Sequence, residues 1–281
     1  MRKLKNLLFP WGFIAVMIAA LVVAGCTDKE STAPDEGDYP DIPPVETFKI
    51  DFTMFPDTNS TLFKPENSGD ILSYNNWGYS AANVGVWSLL VTLGMVVPVA
   101  SFVEAFNHTP EQQPDGSWAW SYNFNAGGVT HTADLNASTD SAGINWAMHI
   151  SKTSHYTDFL FYTGQSNLVS TEGSWRLYQD PEDPRPFIDI EWERNPQDTT
   201  AEIKYINIIP GHDDSTGFIH YGRTLDDPYN LFFTIYGKSV EKLTEIAWNQ
   251  YNGTGLVRDS IQFDDTLWHC WDSTLVDITC P

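Results

Sequence analysis

Asp189 and Glu191 stand two residues apart in the run Phe187-Ile188-Asp189-Ile190-Glu191-Trp192, and Glu193 follows. A strand sends successive side chains to opposite faces, so the three carboxylates share one face while Ile188, Ile190 and Trp192 share the other. Neighbouring carboxylates can divide general-acid and general-base work. The same alternation is also what a half-buried strand with a solvated acidic face requires. A second group, His212, Asp213 and Asp214, offers oxygen donors suited to a hard cation, as does Asp264-Asp265. Turns use Asp for backbone hydrogen bonds, which explains both pairs without a metal. His131 lies in phase with Val129, Ala133 and Leu135 and reads as a histidine of the apolar face. There is no HExxH, no Walker loop, no GxGxxG and no clustered Cys/His spacing, so no cofactor is expected.

The carboxylate run resembles the ExDxE motif that laminarinase and lichenase glycosidases of the β-jelly-roll family carry on a strand facing the sugar cleft. By that resemblance Asp189 falls on the assisting Asp and Glu191 on the acid/base Glu, and Phe187 stands where the family has its nucleophile. The likeness spans about 25 residues, to Asp198-Thr199-Thr200 and the next strand, and implies a glycan binder or a degenerate glycosidase. Gly78-Tyr79-Ser80-Ala81-Ala82 loosely resembles a nucleophile elbow. The strand–helix alternation of such hydrolases is missing, and Ser80 reads as an N-cap for the helix that follows.

The chain begins with Arg2, Lys3 and Lys5, then an uncharged apolar stretch from Leu7 to Val23, then Val23-Ala24-Gly25-Cys26. Small residues directly before a cysteine resemble the lipobox of bacterial lipoproteins. The resemblance implies that residues 1–25 are a signal peptide and that Cys26 becomes a diacylglycerol-bearing N-terminus. The expected location is the cell envelope, with the lipid on Cys26 as the link to the membrane. Thr27 rather than Asp after the cysteine is similar to signals for the outer membrane, and Asp28-Lys29-Glu30 is similar to a surface-export signal. Residues 26–46, rich in Pro and acidic side chains, bury too little apolar surface to order themselves and read as a disordered tether.

With 37 acidic against 15 basic side chains the net charge is −22, which argues against both nucleic acid and anionic headgroups as direct partners. Cys26 being committed to lipid, Cys270 and Cys280 remain as a pair expected to form a disulfide in an oxidising compartment.

The elements that must position these residues form one domain, residues 47–281. From Ser117 onward the hydrophobic period is two, as in Trp118, Trp120, Tyr122 and Phe124. Runs of this kind, ending with Gly255 to Phe263 and separated by Gly/Asn/Asp/Pro turns, predict about eleven antiparallel strands. Val84 to Val103 carries no charge and predicts a helix, within about 80–106, interrupted by Gly94 and Pro98; it is long enough in principle to span a bilayer, and those interruptions with the polar sequence on either side favour a helix covered all round inside the domain. Thr47 to Met54 predicts an extended strand. The expected fold class is mainly β: a meander curled into an open or closed barrel around that helix, with a β-sandwich or jelly roll as the alternative. The expected function is non-enzymatic, binding an apolar small molecule or serving as an envelope scaffold, with surface glycan binding as the alternative.

Overall fold

The computed structural model describes residues 39–56 and 75–281. The expected signal peptide, Cys26 and the expected tether as far as residue 38 lie outside the described residues.

Two helices come first, α1 (Asn75–Gly94) and α2 (Val96–Ala105), and their axes bend by 69°. The strands follow: β1 (Glu111–Gln112), β2 (Trp118–Ala126), β3 (Val129–Asp140), β4 (Gly143–Lys152), β5 (Tyr156–Ser166), β6 (Glu172–Tyr178) and β7 (Pro186–Asn195). Next come β8 (Thr200–Asn207), β9 (Phe218–Arg223), β10 (Leu231–Gly237), β11 (Lys242–Trp248) and β12 (Gly255–Arg258). The short helix α3 (Ser260–Phe263) precedes β13 (His269–Trp271) and β14 (Asp277–Ile278).

All fourteen strands pair in sequence order in one antiparallel sheet, and β14 does not pair back to β1, so the sheet is not closed. The mainly β expectation is met, with more strands than predicted. β1, β13 and β14 are two or three residues long, too short to establish a period. The last predicted run breaks at Asp259, where the chain turns into α3 instead of continuing β12. The β2–β3 turn is as the sequence suggests: Gly127 and Gly128 take φ of 58° and 77°, the left-handed pair that a tight hairpin demands.

One face of the sheet is apolar. Trp120, Trp146, Trp175, Tyr205, Phe233 and Trp248 are fully buried on it, and two further elements cover it. The first is the chain from Tyr39 to Pro56, and here the predicted strand is corrected. Thr47 to Met54 pairs with no strand; it forms 3-10 turns at Val45–Thr47 and Phe52–Met54. Phe48, Ile50 and Phe52 alternate because every second side chain reaches the same core, while side chains of the sheet satisfy the backbone. Tyr205 donates to the Phe48 carbonyl at 2.8 Å and Trp248 Nε1 to that of Met54 at 2.9 Å. The segment thus crosses the strands, from Tyr39 against Trp118 to Phe55 against Trp248. Tyr39 to Glu46, inside the stretch read as tether, are thus part of this packed segment.

The second cover is the helical elbow. α2 packs on β2, near one edge of the sheet, and α1 on β12, β13 and β14, at the other. The backbone amides of Asn75 and Asn76 donate to the Asp277 carboxylate, which places negative charge at the positive end of α1. Asp277 lies on β14, held close by the disulfide between Cys270 and Cys280, whose Cα atoms are 5.1 Å apart. The expected pairing is present, and its loop fixes the strand that caps the helix.

The reading of α1 as buried all round is corrected. Trp77, Ala81, Val84 and Val91 face the core, whereas Val86, Leu89, Leu90 and Leu93 are 58–68% exposed. Ser80 is not an N-cap: α1 starts five residues earlier, and the fully buried Ser80 hydroxyl donates to the Asn76 carbonyl one turn back.

Glycines make room for indoles across the sheet. Gly164 faces Trp175, Gly173 faces Trp192 and Gly255 faces Trp271 in register, and each ring covers the glycine opposite. A Cβ at Gly173 would overlap both the Trp192 ring and the backbone carbonyl of Gln165. Gly173→Ala should therefore lower stability by about 1–3 kcal/mol, as overpacking does. Gly85→Ala, on α1 with nothing near its Cβ, should raise it by about 0.5–1 kcal/mol, the helix-propensity gain. Urea midpoints of the two variants moving in the same direction would contradict this.

Candidate polar trough on the outer sheet face

The sheet's other face carries the polar half of each strand. Register sets one transverse row of Asn145, Gln165, Ser174, Glu191, Lys204 and His220. A parallel row holds Thr163, Arg176, Asp189, Ile206, Phe218 and Tyr236. Period two therefore delivers Asp189 and Glu191 to the solvent side, opposite buried Ile190 and Trp192.

Two depressions of about 610 and 460 Å³ meet on this face, both lined by Gln165, Ser174 and Glu191. The larger extends to Glu172, Glu193, Glu202 and His220, the smaller to Arg176 and Asp189. Together they form a shallow trough across the strands.

Its carboxylates differ in how they are held. Asp189 is engaged by both ends of the Arg176 guanidinium, at 2.8 and 2.7 Å, a bidentate pair that fixes its orientation. Glu202 accepts from or bridges to His220 Nε2 at 3.0 Å. Burial holds that imidazole below its ordinary value, with Glu202 and Glu191 opposing and Lys204 assisting the shift. Lys204 extends over the Phe218 ring, 4.4 Å from its centre, beside the Phe218–Tyr236 pair. The trough thus offers hydrogen-bond donors and acceptors along its length and half-exposed aromatic rings at one margin. At the position of the family nucleophile the chain has Phe187, which cannot form a glycosyl ester.

The loop candidates are used by the fold. Asp214 accepts from the Ser239 amide at 3.0 Å, tying the β8–β9 loop to the β10–β11 turn, and Asp213 is exposed beside it. Asp265 accepts from the Leu267 amide and pairs with His269. Among the described residues no group of three or more His, Cys, Asp or Glu side chains converges as a metal site. His131 is buried, stacked on Phe124 and bonded to the Val129 carbonyl at 3.0 Å; burial lowers its proton affinity.

A third cleft, about 500 Å³, opens where the crossing segment meets β7, β8 and β9. Trp192, Ile203, Tyr221 and Met54 line it, and so do Lys49, Arg194, Arg223, Glu46, Asp51, Glu193 and Glu202. Burial, with Asp51 nearby, pushes the Tyr221 hydroxyl up to about 12 against the pull of Arg223. Sequence reasoning missed both the trough's length and this cleft, because each depends on register and on a segment lying across strands.

Comparison of the chain with family models, with curated proteins and with solved structures found no match.

Proposed function

We propose that this chain is a non-enzymatic lipoprotein of the bacterial cell envelope, probed to a membrane-bound position by lipid on Cys26 and acting as a structural component rather than as a carrier of an apolar ligand. Its sheet is read as an open barrel filled by its own chain. One observation carries the preference for scaffold over carrier: the space a ligand would need is taken by Phe48, stacked 4.6 Å from Phe102 and flanked by Tyr162 and Trp175. The cleft that remains is rimmed by seven ionisable side chains, which a wholly apolar molecule would have to desolvate without compensation.

Native mass spectrometry of the mature chain, isolated from its own host in detergent, tests this. The expected mass is the polypeptide plus its covalent lipid; a second, stoichiometric lipid would restore the carrier. Cys26→Ser should leave unprocessed precursor, seen as a slower band on gels, and normally cleaved lipid-free protein would refute the lipobox assignment.

Glycan binding on the outer face is the second reading, supported by the trough beside Phe218 and Tyr236. It expects retention of the chain on a β-glucan column, lost in Glu191→Ala.

A further inference from the structure

We propose that the outer face of the α1–α2 elbow is a second membrane contact, lying in the acyl–headgroup boundary of the neutral bilayer that holds Cys26. The proposal rests on the lipoprotein reading and extends it from a single point of attachment to two.

The face is built as a stripe. Val86, Leu89, Leu90 and Leu93 recur at helical spacing on one side of α1, 58–68% exposed, and Val96 continues it past the bend at 40%. No residue from 71 to 103 is Asp, Glu, Lys, Arg or His, in a chain that is 19% Asp, Glu, Lys and Arg. Nothing in the described residues covers the stripe, although the opposite side of the same helix is buried against β12, β13 and β14. Such a cluster is larger than the scattered exposed side chains of an ordinary surface.

Two observations choose the bilayer as its occupant. Tyr39, packed against Trp118, lies thirteen residues after Cys26. Chain of that length reaches about 45 Å when fully extended and about 20 Å as a flexible coil, so a lipid on Cys26 keeps the domain within its own diameter of the membrane. Charge argues against a second copy. With 37 acidic and 15 basic side chains, two domains meeting face to face repel each other, whereas neutral lipid carries no such field. Among the described residues no single helix is long and apolar enough to cross a membrane, and the 69° bend sets α2 at an angle to α1.

The test uses the mature chain purified from its host and reconstituted in phosphatidylcholine vesicles containing doxyl-labelled phosphatidylcholine. An environment-sensitive fluorophore is placed through Leu90→Cys, or through Tyr251→Cys as a control that is 85% exposed elsewhere. Cys270 and Cys280 are bonded to each other and do not compete for label. The label at position 90 should shift to the blue and lose most of its emission to the doxyl lipid, while that at position 251 keeps its emission. Adding Leu89→Glu and Leu93→Glu should abolish the loss at 90. The intact mass of each sample reports acylation of Cys26 independently. An unquenched label at 90 on chain acylated at Cys26 would overturn the contact alone; quenching at 90 on chain lacking acylation would overturn the lipoprotein reading and leave the contact standing. Cross-linking between copies at position 90 in dilute detergent would assign the face to a dimer and overturn the proposal.

Discussion

Phe48→Ala should cost about 3–5 kcal/mol of folding stability, the range for removing a fully buried ring from a core that cannot collapse around the loss. Phe48 is completely buried, parallel to Phe102 at 4.6 Å and tilted against Tyr162 and Trp175 at 4.8 and 5.5 Å. It therefore joins three parts of the molecule: the crossing segment, α2 and the apolar face of β5 and β6. A surface extension would behave differently, because substitutions away from packed features change stability by about 0.5 kcal/mol or less. The expected result is a marked fall in the urea midpoint with an unchanged slope. A near-normal midpoint would mean that residues 39–56 decorate the sheet instead of completing it.

Asp259→Ala should have a comparable effect by another route. Asp259 follows β12 and is 1% exposed. One carboxylate oxygen caps α3 by accepting from the amides of Ile261 and Gln262, both at 3.1 Å. The other accepts from the Thr244 hydroxyl at 2.6 Å and from the Tyr79 hydroxyl of α1, with Lys242 Nζ at 3.7 Å. Truncation leaves the buried Thr244 hydroxyl unpaired at about 1–3 kcal/mol and also removes the cap of α3 and a partner of the half-buried Tyr79 hydroxyl, so a total of about 2–5 kcal/mol is expected. Burial opposes ionisation of this carboxyl, but Thr244, Tyr79, the Gln262 amide and Lys242 outweigh it and hold it below the ordinary carboxylate value. A group with a lowered folded-state value stabilises above its unfolded value, about 3.9, and loses that contribution as pH falls through the folded value. Asp259→Asn should accordingly remove part of the acid sensitivity of wild type below about pH 4. Parallel stability-versus-pH curves for the two proteins would contradict the assignment.

Both residues illustrate what was legible in the sequence. Period two located the long strands because each is buried on one side only, and Trp118 to Phe124 or Ile144 to Ile150 leave no ambiguity. The same rule misassigned Phe48, Ile50 and Phe52, whose alternation is real but serves a segment lying across strands, bonded by Tyr205 and Trp248 instead of by a neighbour. Asp259 is indistinguishable in sequence from the many Asp residues of this chain that close turns; only the meeting of α1, β11 and α3 makes it a junction. The uncharged stretch around α1 signalled a helix, and Gly94 and Pro98 bracketed its bend. Composition that is apolar on every side does not tell which side the protein covers, and here it leaves Val86 to Leu93 outward. The outer trough needed register: alternation places Asp189 and Glu191 on one face, but their meeting with Arg176, Lys204 and His220 depends on pairings across four strands.

The proposed attachment at Cys26 would give the acidic domain its location and the α1 face its proposed partner. Denaturing intact-mass measurement of the mature chain released from host membranes is the decisive observation. It should show a polypeptide beginning at Cys26 and heavier than its sequence by a diacylglycerol group with or without a further acyl chain. A chain that begins elsewhere, or that begins at Cys26 with the mass of the bare polypeptide, would contradict it.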